Sequence, residues 1–169
     1  RIYLFKHETK EAYERWGSKN DCKCKIVVAP GGGFTEKCWG DRKFNELTKL
    51  LSRDSYYNIC IIGSDEDRKR IQIQQSSRLK NFCGKLSLRQ SSALVSTSDF
   101  VVTNSSVCMH FAGAFKIPSL TLLGEWYESA ALHKKQWGYP EGIILGKETT
   151  SGIDQVTSIN DALIHIQKY

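Results

Sequence analysis

From residue 25 onward, short apolar runs alternate with stretches of helical periodicity, an order that few folds accept. A strand, a helix and a second strand in succession are satisfied when the strands pair in parallel and the helix lies back across them. Residues 25–29, 57–62, 99–103 and 119–123 read as such strands. Between the first two, Phe44, Leu47, Leu50 and Leu51 recur at helical spacing and give one apolar face for the sheet. Ser64 with Asp67, and Ser87 with Gln90, have the spacing of capping pairs that open helices. The first of these helices is expected to run to about residue 75. The second is expected to bury Leu88, Ser91, Ser92 and Val95.

Helices are also expected at 8–16 and at 106–115, the latter stopped by Pro118. A last one sets Val156, Ile159, Leu163 and Ile166 on one face. Residues 81–84 form a candidate third strand and 142–145 an edge strand. The expected fold class is therefore α/β, a Rossmann-like three-layer α/β/α domain on a parallel sheet. Residues 1–24 form a leading segment with a helix, and residues 25–169 form the domain itself, with the last helix packing back.

A chain of 169 residues, 40% hydrophobic and 25% charged, has the size and composition of one globular domain with a real core. No apolar run nears the roughly 18 residues that span a bilayer, and no secretory signal opens the chain. The expected setting is the cytoplasm, with a peripheral position at the inner membrane face as its variant. The chain starts at Arg1 and reads as a piece of a longer protein. Its formal charge of +6 favours an anionic partner, but Lys and Arg are interspersed with Asp and Glu, and no basic run is interleaved with aromatics. Nucleic acid is not the expected partner. Cys22 and Cys24 lie one residue apart while Cys38, Cys60, Cys83 and Cys108 are widely spread, so no zinc pattern arises and no metal is expected. Reduced thiols are expected, Cys60 being a small apolar residue of a strand.

Open parallel sheets bind ligands outside the carboxyl ends of their strands, which directs attention to three loops. The first, from Pro30 through Gly31, Gly32 and Gly33 to Lys37, lets backbone N–H groups approach a phosphate and supplies a cation. It lacks the Gly-Lys-Ser/Thr of a Walker loop, and a glycine run after a strand is also what an ordinary turn requires. The second holds Asp65, Glu66 and Asp67, which either stabilise a helix N-terminus or accept ribose hydroxyls. The third, 103–110, brings Ser105 and Ser106 to a helix start with His110 about one turn on, either as a plain cap over a packed histidine or as an anion cradle.

Taken in order, these loops resemble glycosyltransferase family nine, the heptosyltransferases of lipopolysaccharide assembly, over nearly the whole chain from Lys25. The family's Pro-Gly-rich loop with Lys-Arg-Trp-Pro is matched by Pro30 to Gly33 and by Lys37, Cys38, Trp39 and Gly40. Its Gly-Gly-Pro-Asp-Glu turn is matched loosely at 62–66, and its Asn-Leu-x-Gly-Lys-x-Ser-Leu stretch at 81–88. Its Thr-Asn-Asp-Ser-Gly-Pro-Met-His-Leu-Ala aligns with 103–112, followed by Pro118 and Gly124. Ser105 stands where the family has Asp, and Val107 where it has Gly.

The resemblance implies the C-terminal, donor-holding half of a GT-B glycosyltransferase, an enzyme of two Rossmann-like domains. It implies a nucleotide-diphosphate sugar as donor substrate, an ADP-sugar favoured, and a lipid-linked or oligosaccharide acceptor, with no further cofactor. Gly32, Gly33, Lys37, Glu66, Ser105, Ser106, Val107 and His110 would hold the donor. Among them Lys37 would neutralise phosphate, Glu66 would hold ribose, and the Ser106 and Val107 region would cradle the diphosphate. The catalytic base belongs to the N-terminal domain in that family, so no catalytic residue is assigned here and these residues alone are expected to be inactive. The replacement of Asp by Ser105 keeps two alternatives in view: a degenerate, non-catalytic nucleotide-sugar-binding module, and a plain domain that serves as an interaction partner.

Overall fold

The computed structural model describes residues 2–17, 23–147 and 157–169. Among the described residues, six parallel strands form one sheet: β1 (Cys24–Ala29), β2 (Tyr57–Ile61), β3 (Leu79–Asn81), β4 (Phe100–Thr103), β5 (Ser119–Leu122) and β6 (Gly142–Leu145). Their order is β3-β2-β1-β4-β5-β6, the doubly wound arrangement, which reverses direction between β1 and β4. Every residue of β2, β4 and β5 is buried, as strands covered on both faces require.

Alternation along the strands feeds two cores. Ile26, Val28, Ile59, Ile61 and Phe100 point to the layer of α2 (Asp41–Ser52) and α7 (Ile159–Ile166), where they meet Phe44, Leu47 and Ile166. Val27, Cys60 and Val101 point to the layer of α1 (Lys6–Trp16), α4 (Leu88–Ser96) and α5 (Val107–Phe115), against Trp16, Leu94 and Ala112. Side-chain hydrogen bonds fix α1: Trp16 donates to Thr97 Oγ1 at 2.9 Å, and Asn58 donates to the Trp16 carbonyl at 2.9 Å. Two further helices, α3 (Asp65–Arg70) and α6 (Ala130–Trp137), follow β2 and β5.

Both expected capping boxes form. Ser64 Oγ accepts from the Asp67 amide at 3.2 Å, and Ser87 Oγ from the Gln90 amide at 3.1 Å. Other expectations need correction. The helix opened by Ser64 ends at Arg70 rather than near residue 75, because Ile71, Gln72, Ile73 and Gln74 alternate with period two and extend so that the isoleucines enter the core. The third strand lies at Leu79–Asn81, not 81–84, since Asn81 Oδ1 accepts from the Cys83 amide at 3.0 Å and Gly84 turns with φ +70°. Leu88 is 64% exposed and Ser91 half-buried, whereas Ser92 and Val95 are buried as expected, joined by Ala93 and Leu94. In α2 the fourth buried position is Thr48, with Leu50 half-buried. The helix α6, capped by Ser129, goes unforeseen. Val156 and Cys22 fall outside the described residues.

Candidate functional site

At the reversal of strand order a cleft of about 480 Å³ opens, lined by Gly31, Gly32 and Gly33 after β1, Gly63 and Ser64 after β2, and Ser106, Val107 and Cys108 at the start of α5. Leu86, Leu88 and Phe111 form an apolar wall. The three loops thus meet where a doubly wound sheet leaves room, and the α5 N-terminus, with the partial positive charge of the helix dipole, faces the space between them.

Two buried polar side chains shape the cleft. Asp67, its side chain 8% exposed, accepts from the Ser64 amide at 2.7 Å and from Ser64 Oγ at 2.8 Å, and pairs with Arg70. Arg70 also reaches Asp41 at 3.7 Å. A Cβ on Gly31 or Gly63 would come within 2.5 or 2.7 Å of Asp67 Oδ2, so glycine is required at both positions to seat the carboxylate behind the loops. Asn104, 1% exposed, has no role assigned from sequence, yet it holds the β1 loop at both ends. Its Nδ2 donates to the Pro30 carbonyl and its Oδ1 accepts from the Trp39 amide at 2.9 Å.

Of the residues singled out from sequence, the cleft gathers Gly32, Gly33, Ser106 and Val107. Ser106 caps α5, accepting from the Cys108 amide at 3.4 Å, and its hydroxyl lies 3.1 Å from Thr103 Oγ1. Ser105 is half-buried beside the cleft and does not line it. Glu66 is exposed on α3, away from the lining. Lys37 stands apart from the lining too: its Nζ sits 4.2 Å from the centre of the Trp126 ring and 5.0 Å from that of Phe34, two rings more than 60% exposed. The backbone fixes this group, because the Gly124 amide donates to the Lys37 carbonyl at 3.2 Å and the Trp126 amide to the Glu36 carbonyl at 3.0 Å. His110 lies under α6, its Nδ1 2.8 Å from the Tyr139 hydroxyl and its ring edge-on to Trp137.

The cleft offers binding groups rather than an exposed general base. Burial pushes the Cys108 thiol up to about 12, overriding the help a helix N-terminus gives a thiolate, so it stays protonated. The Asp67 carboxylate is occupied by Ser64 and Arg70. Cys38, Cys60 and Cys83 are likewise buried free thiols, and burial takes Cys60 up to about 12. Among the described residues no group of three or more His, Cys, Asp or Glu is placed to hold a metal ion, and no helix is long and apolar enough to cross a membrane.

Beneath the Trp126 loop lies His133, 6% exposed, edge-on to Tyr127 at 4.7 Å and with no partner for Nε2. Burial, helped by the charge of His110, holds its pKa below the ordinary 6.5. The unfolded chain therefore binds this proton more readily than the folded one. The associated stability is complete above the ordinary value and drains away as pH falls through it toward the folded value. His133→Leu is expected to flatten the fall in Tm between about pH 7.5 and about pH 5.5. Parallel melting profiles for the variant and its parent would refute this.

A parallel, doubly wound sheet with a glycine loop and a helix N-terminus converging at its switch point defines a Rossmann-like α/β domain. The chain belongs to glycosyltransferase family 9 (heptosyltransferase), whose model matches residues 4–137. It is 30% identical to lipopolysaccharide heptosyltransferase 2 of Escherichia coli K12 over 107 residues, covering 59% of this chain and 30% of that protein. It is 28% identical to lipooligosaccharide heptosyltransferase 2 of Haemophilus influenzae over 125 residues, covering 69% of this chain and 36% of that protein. Among solved structures, the E. coli ADP-heptose LPS heptosyltransferase II overlays 99% of the chain with a TM-score of 0.77 at 20% identity, and a family 9 glycosyltransferase of Veillonella parvula does so with 0.77 at 17%. An E. coli heptosyltransferase solved with ADP overlays 95% with a TM-score of 0.69 at 16% identity. The chain covers 52%, 53% and 48% of these three structures, about half the length of each.

Proposed function

We propose that this chain is the donor-binding half of a heptosyltransferase-like glycosyltransferase, holding a nucleotide-diphosphate sugar, ADP-linked, for transfer to a lipid-linked or oligosaccharide acceptor of the lipopolysaccharide class. The working site is cytoplasmic, at or near the inner membrane face. The observation that carries this reading is the convergence of the glycine loop, the Ser64 turn and the α5 N-terminus on one cleft with an apolar wall. The wall of Leu86, Leu88 and Phe111 offers a flat surface to a base, and the α5 amides and Ser106 offer donors to a diphosphate. In the transfer, the bond from the sugar's anomeric carbon to the diphosphate oxygen breaks as an acceptor hydroxyl attacks. Negative charge grows on the departing diphosphate, where fixed N–H donors and the α5 dipole act most strongly. The base that takes the acceptor's proton comes from another part of the protein.

The test is a thermal-shift series with ADP, GDP, UDP and CDP. Ligand at about 100 times its Kd adds about 2.7 kcal/mol, and ADP should give the largest rise in Tm. No shift with any nucleotide would overturn the reading. Ser105, standing where the family carries Asp and making no described hydrogen bond, favours a second reading as a non-catalytic donor-binding module. Transfer assays on the full-length protein with several ADP-sugars separate the two.

A further inference from the structure

On the other layer of the sheet, under α2, lies a groove of about 880 Å³ that shares no lining residue with the cleft. One wall is a stripe along α2 and its C-cap, where Arg42, Glu46, Lys49 and Arg53 follow at spacings of four, three and four, one helical face. The other wall is the extended segment before β3, with Gln72, Gln74 and Arg78. Arg42, Lys49, Arg53 and Arg78 make no described side-chain hydrogen bond or ion pair, whereas Arg15, Lys25, Arg70 and Arg89 are all paired. Four unpaired cations thus share one hollow with a single carboxylate, an arrangement that repels itself and attracts anions.

The neutral groups narrow the partner. Because residues 71–74 alternate, Ile71 is buried in the core and Ile73 packs against it while still touching the groove, and Gln72 and Gln74 are exposed in the groove. Amides that can donate and accept suit hydroxyl groups, and guanidinium forks suit phosphates. No aromatic side chain lines the groove, so it lacks the stacking surfaces that single-stranded nucleic acid uses. None of its residues is an exposed large apolar side chain of the kind that anchors a protein in a bilayer interface.

We infer that this groove is a second binding site, for a saccharide chain bearing phosphate groups, with Arg42, Lys49, Arg53 and Arg78 holding the phosphates and Gln72 and Gln74 the sugar hydroxyls. The experiment is calorimetric titration of the full chain with phosphorylated maltoheptaose, plain maltoheptaose, inorganic tripolyphosphate and phosphatidylglycerol vesicles, with ADP titrated in parallel. The phosphorylated saccharide should bind saturably and more tightly than the other three. Arg53→Gln with Arg78→Gln should weaken it by about tenfold or more. Gln72→Ala with Gln74→Ala should weaken it while leaving tripolyphosphate binding unchanged. ADP affinity should hold in both variants.

Equal binding of the phosphorylated and plain saccharides, or no binding of either, overturns the inference. So does tripolyphosphate matching the phosphorylated saccharide, which would reduce the groove to an ion sink. Tighter binding to vesicles that the double arginine variant abolishes would make it a bilayer surface instead. Retained ADP binding beside any of these outcomes confines the failure to the groove, whereas loss of ADP binding with an intact groove counts only against the proposed function.

Discussion

Replacing Asn104 by alanine is expected to lower stability by about 3 kcal/mol and to strip the cleft of the nucleotide affinity proposed for it. The side chain is buried at the end of β4 and makes two hydrogen bonds to another part of the chain, one to the Pro30 carbonyl and one from the Trp39 amide. Its removal leaves a buried N–H and a buried carbonyl without partners, at about 1 to 3 kcal/mol each. Water can reach the Pro30 side through half-buried Gly31 and recover part of that cost. For a domain of this size a loss of about 3 kcal/mol lowers Tm by roughly 6 to 12 °C. The functional loss has a separate cause. The segment between the two bonds is the glycine loop with Lys37, so this amide, together with the Gly124 and Trp126 amides that donate to the Lys37 and Glu36 carbonyls, sets its position against the α5 N-terminus. A Tm within about 2 °C of the parent, or unchanged ADP affinity, would show that Asn104 does not hold the loop.

Why that residue escapes sequence reasoning while others do not follows from the reach of each interaction. Ser64 with Asp67 and Ser87 with Gln90 close within four residues, so their spacing alone announces a helix start, and both boxes form. The buried strands announce themselves as apolar runs because both faces are covered. Asn104 bonds to partners 65 and 74 residues away, and nothing local distinguishes it from a turn-forming asparagine. The end of α3 was legible in principle, since Ile71 to Gln74 alternates with period two, but the helical signal of the capping box just before it overrides so short a pattern. Leu88 has the right spacing for the buried face and instead lines the cleft, a placement that requires knowing where the sheet ends. Lys37 is similar. Its position in a glycine-rich loop marks it as a phosphate ligand, but its contact with Trp126 depends on the β5 loop docking onto the β1 loop through Gly124. A Cβ there would fall 2.4 Å from the Glu36 carbonyl oxygen.

The contact between Lys37 and Trp126 sets the second large effect: ADP is expected to bind at least tenfold more tightly than AMP, and Lys37→Ala should bring the two within about threefold of each other. Only the second phosphate distinguishes the ligands, and a charge-assisted hydrogen bond to it is worth about 1.5 to 3 kcal/mol. A free lysine loses up to about 2 kcal/mol of side-chain entropy when it is fixed, which would cancel much of that gain. Here Trp126 and Phe34 already confine the ammonium at 4.2 and 5.0 Å from their ring centres, so part of the ordering is complete before ligand arrives. An exposed cation–π contact contributes only about 0.5 to 1 kcal/mol, too little to keep the lysine from a phosphate dianion. The rings therefore act as a rest position rather than a competitor, and Trp126→Leu should weaken ADP while leaving AMP nearly unchanged. Calorimetry on the parent and the two variants decides the matter. Equal affinities for ADP and AMP in the parent would show that the second phosphate is not recognised at all, whereas an ADP preference that survives Lys37→Ala would move its recognition to the α5 amides. Tighter ADP binding by Trp126→Leu would show that the aromatic pair withholds the lysine instead of presenting it.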